Sequence, residues 1–288
     1  MLDFSATRGP PTIPPASPRL RQRSHRPMAR AARTLAILLL AAPAARAQSP
    51  PTADPAPPAK PAAPRSPLPP PGEMARCKAL IDAGHYEAAR ERLRPIVEQH
   101  PGWARATGLL ALTYYKQHRF AAARPLFARA LSADPEEVAI RPFYGWTLYS
   151  LGEPGAAEEE FRVLLGRMPE YTVAHYALGL IHLDRDEVDA ARERFAATLR
   201  LAAEQGDVVM AGRAHARLGD LAVRLGDLAA AKRELELAIA LHPDEHDALF
   251  TLSRVLQRLG DEEGAAEARR RFDEVAARLE PGAARLPE

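Results

Sequence analysis

The chain has 288 residues, with 28 prolines, one cysteine and a formal net charge of +2. The lone Cys77 excludes an intramolecular disulfide. Residues 1–71 hold 10 basic and 2 acidic side chains and 18 of the prolines, while the remainder holds 29 basic and 35 acidic. The body is therefore mildly acidic, which excludes a general electrostatic attraction to nucleic acid or anionic lipid.

Along the chain, Met28 begins the segment MARAARTLAILLLAAPAARAQ. Arg30 and Arg33 make a positive start, Leu35 to Ala42 form a short apolar run, and Ala45-Arg46-Ala47 fits the small-x-small rule of signal peptidase. The run is about half the ~20 residues that a spanning helix needs. Residues 1–47 thus read as a signal-peptide region, with cleavage before Gln48 and Met28 as the better start. The mature chain is expected in the periplasm or secreted, with no integral membrane segment. The competing readings are a cytoplasmic tail and a transit peptide, and the second lacks the amphipathic helical pattern it needs. Residues 48–71 are mostly Pro and Ala, a composition that cannot form helix or sheet interiors and predicts a disordered, extended linker.

From residue 72 onward the pattern is periodic. Ala89, Ala123, Ala157 and Ala191 recur every 34 residues, as do Ala231 and Ala265, and one step of 40 residues joins the two sets. A small residue at a fixed phase near 34 marks a stack of helix pairs. Residues 104–137 supply Leu110, Ala111, Tyr114, Ala123, Phe127, Ala130 and Pro135; later units supply Gly145, Ala157 and Phe161, then Gly179, Ala191 and Phe195, then Gly219, Ala231 and Leu235. Gly84, Gly152, Gly226 and Gly260 are placed to end first helices, and Pro101, Pro135, Pro169 and Pro243 to stop second ones. Unit four lacks that proline. Its six extra residues fall between Ala203 and Gly212, where Asp207 is placed to cap a longer helix running to Leu225. Pro95 and Pro125 lie within second helices and are expected to bend them. Cys77 falls at a small-residue phase and reads as packing.

These motifs resemble the tetratricopeptide repeat family. The resemblance covers about residues 70–280 and implies an all-α, right-handed superhelical solenoid of about six helix-turn-helix pairs. The expected units are 70–103, 104–137, 138–171, 172–205, 212–245 and 246–279, within a repeat domain of 72–280 followed by a tail at 281–288.

The family also implies that first helices line a concave groove. The phases facing it are Leu109, Leu112, Tyr115, Phe143, Trp146, Tyr149, Tyr176 and Leu180, followed by Arg213, Arg217, Arg224, Arg254 and Arg258. Aromatic and arginine side chains are the usual anchors of protein interfaces. The expected occupant is a protein or peptide segment, with an acidic group at the arginine end. The competing possibility at these positions is packing between helices, with the arginines paired to Asp220 or Asp247. The clamp for terminal carboxylates found in some family members needs asparagines, and this chain has none.

No chemistry-bearing motif accompanies the repeats. His242 and His246 are separated by Pro243, and His175 and His182 read as packing residues. There is no Gly-rich phosphate loop, no nucleophile elbow and no paired cysteine. The reading is a non-catalytic scaffold or adaptor of the bacterial envelope, without cofactor or metal. Its alternatives are a glycan- or cell-wall-binding accessory module, or a cytoplasmic adaptor if the signal segment is misread.

Overall fold

A computed structural model of the chain describes residue 70 and residues 72–279. The signal segment, nearly all of the Pro/Ala-rich segment and the final tail lie outside the described residues. The described residues form twelve α-helices in six consecutive pairs: α1 (Glu73–Asp82) and α2 (Tyr86–Gln99); α3 (Ala104–Tyr115) and α4 (Phe120–Ala133); α5 (Arg141–Ser150) and α6 (Pro154–Arg167); α7 (Thr172–Asp184) and α8 (Val188–Gln205); α9 (Val208–Leu225) and α10 (Leu228–Leu241); α11 (His246–Leu259) and α12 (Glu262–Leu279).

One backbone turn is used six times inside the pairs. Gly84, Gly152, Gly226 and Gly260 adopt φ values of +78° to +82°. At the same phase of units two and four stand His118 (φ +57°) and Asp186 (φ +59°), which a rule based on glycine does not find. In all six, the amide of the next residue donates to a carbonyl five residues back, as in His85 to Leu80 and Glu187 to His182, at 2.8–3.0 Å. This closes the carbonyls left open at the end of a helix.

Prolines set the other boundary. Helices α2, α4, α6 and α10 each stop two residues before a proline, and the residue between is extended, with φ from −129° to −143°. Pro95 and Pro125 sit inside α2 and α4, which continue through both. Without such a stop, α8 runs on to Gln205 and ends at Gly206 in a left-handed conformation. The Asp207 carboxylate then accepts a hydrogen bond from the Met210 amide at 2.9 Å and caps α9. The six extra residues thus become a further turn of α8, a Gly-Asp corner and a further turn of α9.

Packing within each pair depends on the small residues. A Cβ at Gly145 would lie 2.7 Å from Phe161, one at Gly179 2.6 Å from Phe195, and one at Gly219 2.6 Å from Leu235. The large residue of the second helix therefore sits directly on the missing side chain of the first. Ala123, Ala157, Ala191 and Ala231 are fully buried on the opposing helices. Cys77 is likewise buried in α1, and burial pushes its thiol pKa up.

Between pairs, each odd-numbered helix touches the next odd-numbered one, from α1 to α11, whereas the even-numbered helices make no comparable contacts with one another. The odd helices therefore occupy the shorter, inner arc of the stack, and the even helices its outer arc.

Candidate partner-binding site

Most of the apolar residues expected along the inner face are core residues. Leu109, Leu112, Tyr115, Trp146, Tyr149 and Tyr176 are all at most 5 % exposed. The Trp146 ring meets Tyr149 and Phe161 edge-on at 5.7 and 5.6 Å, and Tyr115 meets Phe143 at 5.3 Å. The reason is the inner-arc packing: neighbouring odd helices lie so close that these side chains fill the space between them. Of the eight, Phe143 and Leu180 alone remain half-buried. The accessible apolar lining is thus much narrower than the sequence phases imply.

The arginines divide in the same way. Arg217 is mostly buried; it reaches Tyr176 Oη on α7 at 3.3 Å, Asp220 on its own helix at 2.8 Å and Asp247 on α11 at 3.0 Å. Burial opposes its charge, but Tyr176, Asp220 and Asp247 together outweigh that and hold the guanidinium firmly protonated. Arg224 donates to the Leu183 carbonyl at 2.8 Å and to Asp186 at 2.9 Å. Arg213 lies 3.9 Å from Glu245. Arg254 and Arg258, on α11, are exposed.

These contacts join into one ladder across the inner layer. Tyr149 of α5 donates to Asp184 at the end of α7 at 2.6 Å. Tyr176 of α7 meets Arg217 of α9, and Thr251 of α11 donates to Asp220 of α9 at 3.3 Å. Burial, with the neighbouring Asp184 charge next in size, pushes the Tyr149 hydroxyl far above its ordinary range, so it stays a donor. Burial raises the Asp220 carboxyl, Arg217 opposes that, and Asp247 adds to it. Four successive inner helices are fixed to one another by directional bonds over an otherwise apolar contact.

Asp184, Asp186 and Thr251 belong to this ladder and are not evident from the groove phases. Their signal is pairing at about one period: Tyr149 to Asp184 spans 35 residues, Asp220 to Thr251 spans 31 and Asp186 to Arg224 spans 38. The histidines have separate partners. His175 contacts the Pro169 carbonyl, His182 contacts Glu187, and His242 contacts Glu245. Among the described residues no group of three or more His, Cys, Asp or Glu is placed to hold a metal ion, and no helix is long and apolar enough to cross a membrane.

Six pairs with a shared inner layer and a common turn define a helix-pair solenoid, a class in which stability comes from stacking neighbours. The chain belongs to the tetratricopeptide repeat family, whose model matches residues 74–138, 109–172, 144–207, 176–231 and 216–278. Its fold is the all-α superhelix of that family. Solved structures show the same fold at low identity. A Pseudomonas aeruginosa protein, pilF, is 22% identical over 73% of this chain and 91% of its own, with a TM-score of 0.58. PilW, a type IV pilus biogenesis factor, is 19% identical over 73% of this chain and 91% of its own, with a TM-score of 0.59. YrrB, a repeat protein with an unusual peptide-binding site, is 21% identical over 62% of this chain and 88% of its own, with a TM-score of 0.50. No match is found among curated proteins.

Proposed function

We propose that this chain is a non-catalytic adaptor of the bacterial cell envelope that holds a peptide or protein segment along its inner face. The observation that carries the reading is the continuous inner layer from α1 to α11, cross-braced from α5 to α11. A rigid concave surface costs little ordering on binding, which favours capture of an extended partner. Phe143 and Leu180 supply the accessible apolar contacts. The class of function agrees with neighbours that act in pilus biogenesis and peptide binding. Export rests on the signal-like segment ending at Ala47.

The test is a photoreactive side chain at Leu180, in cells, with identification of what is captured. A small, reproducible set of envelope proteins is expected. Absence of any protein adduct from a folded, expressed chain would overturn the inner-face reading. A reporter active only after export, fused after Gln48, tests location separately: an inactive reporter would move the chain to the cytoplasm and leave the binding reading in place.

A further inference from the structure

We infer that the C-terminal end of the stack, beyond the inner-face groove, is a second docking surface, for an acidic amphipathic helix of another protein. Two repeat phases carry the argument. The first is occupied by Gly108, Pro142, Tyr176 and Ala216, all buried. The next unit contributes to the cover: Ile140 lies over Gly108, and Arg217 bonds to Tyr176, which also meets Phe195 of its own pair at 5.8 Å. The second phase is occupied by Ile96, which is half-buried, and by Ala130, Leu164, Thr198 and Ala238, each fully buried. The last unit has phenylalanine at both, Phe250 on α11 and Phe272 on α12, and both are only half-buried.

A solenoid unit whose outer side faces solvent ordinarily turns a polar face outward. Here the two positions that a further unit would cover carry large rings instead, 5.5 Å apart. Arginines surround them. The Arg254 guanidinium lies 5.9 Å from the Phe250 ring centre, and that of Arg269 lies 5.8 and 5.3 Å from Phe250 and Phe272. Arg269 pairs with Asp273. No carboxylate among the described residues pairs with Arg254 or Arg258, and Gln257 lies exposed between them. One helical stripe of α11 therefore lies open: Phe250, Arg254, Gln257 and Arg258. Aromatic rings flanked by arginine suit a partner with apolar residues one turn apart and carboxylates beside them. In shape that partner takes the place of a seventh first helix; in charge it is acidic, because Arg254 and Arg258 have no carboxylate partner among the described residues.

The probe is a stapled 14-residue helix with two leucines four residues apart and three flanking glutamates, compared with its lysine counterpart, on the full chain. The glutamate helix is expected to bind at least ~10-fold more tightly at low salt, and to lose that advantage as salt rises. It is expected to crosslink to a photoreactive side chain at Gln257. Arg254→Glu with Arg258→Glu, both exposed and safe for folding, should weaken binding by ~10-fold or more. Phe250→Ser should do the same, with circular dichroism checking the fold.

Equal binding of both helices, or no binding, would overturn the proposal. So would crosslinking of the glutamate helix at Leu180 in place of Gln257, a result that would support the inner-face reading. Concentration-dependent self-association abolished by the two charge reversals would assign the face to a second copy and overturn it too. Binding that appears only after removal of residues 280–288 would assign the face to the chain's own tail, and the proposal would fall on that result as well.

Discussion

Gly179 shows how one atom governs this packing. Phe195 stands where its side chain would be, and Phe195 is itself fully buried and has nowhere to go. Gly179→Ala is expected to lower stability by about 1–3 kcal/mol. Gly166 provides the contrast, since it lies in the last turn of α6 and a Cβ there would meet nothing within 4 Å. Gly166→Ala should raise stability by about 0.5–1 kcal/mol, through the cost of ordering glycine in a helix. Urea unfolding of the two variants checks both signs, and equal shifts would refute the packing argument. Asp220 allows a test by pH. Its carboxyl is raised in the fold by burial, so folding favours the protonated form. That contribution is complete below the unfolded value near ~4 and is lost as pH rises through the folded value. Asparagine at this site imitates the neutral acid and does not titrate. The stability of the natural chain relative to Asp220→Asn should therefore grow as pH falls from about 7 to about 4. A difference that stays flat or shrinks would show that Arg217 dominates the site.

At the scale of elements, helix ends were the most legible part of the sequence. Four prolines and four glycines stand where helices stop, because each acts through its own backbone and needs no distant partner. The Asp207 cap was legible for the same reason. Asp207→Ala is expected to cost about 1 kcal/mol by leaving the Met210 amide open. A thermal melt compared with Asp227→Ala, which removes the matching cap at Ala230, would show whether the longer helix depends on its cap more than a standard one. His118 and Asp186 were illegible, since a non-glycine residue accepts a left-handed turn only when the surrounding unit compels it. The inner-face side chains were misjudged for a related reason. A repeat phase tells which way a residue points. Whether the neighbouring helix stands about 8 or about 12 Å away decides between groove and core, and that distance depends on every side chain in the layer.

For the whole molecule, contacts run only between neighbouring rungs, so stability is nearly a sum along one axis. The apolar core divides accordingly. One buried cluster runs from Met74 to Leu221 and a second from Ala216 to Val275, and the two overlap in sequence only within α9. Native-state hydrogen exchange should find the slowest amides in α5 to α9, where the ladder and both neighbours contribute, and the fastest in α1 and α12. Uniform protection along the chain would contradict this one-dimensional picture.

The long α8–α9 junction has a consequence for geometry as a whole. α8 ends about one turn, roughly 6 Å, past the level of α2, α4, α6 and α10, as α12 also does, and α9 begins about one turn before the level of α3, α7 and α11. Gln205 ties the overhang to the start of α7, accepting from the Thr172 hydroxyl at 2.9 Å and donating to the Glu170 carbonyl just before that helix at 3.1 Å, while Val208 at its tip is exposed. Within the stack, the α8–α9 corner is therefore a spur at a fixed height on the edge of the spiral. An object laid along that edge meets four rungs on one side of the spur and the remainder on the other. A molecule built from near-identical steps thus has a landmark inside the stack, by which anything sliding along it can tell where it is.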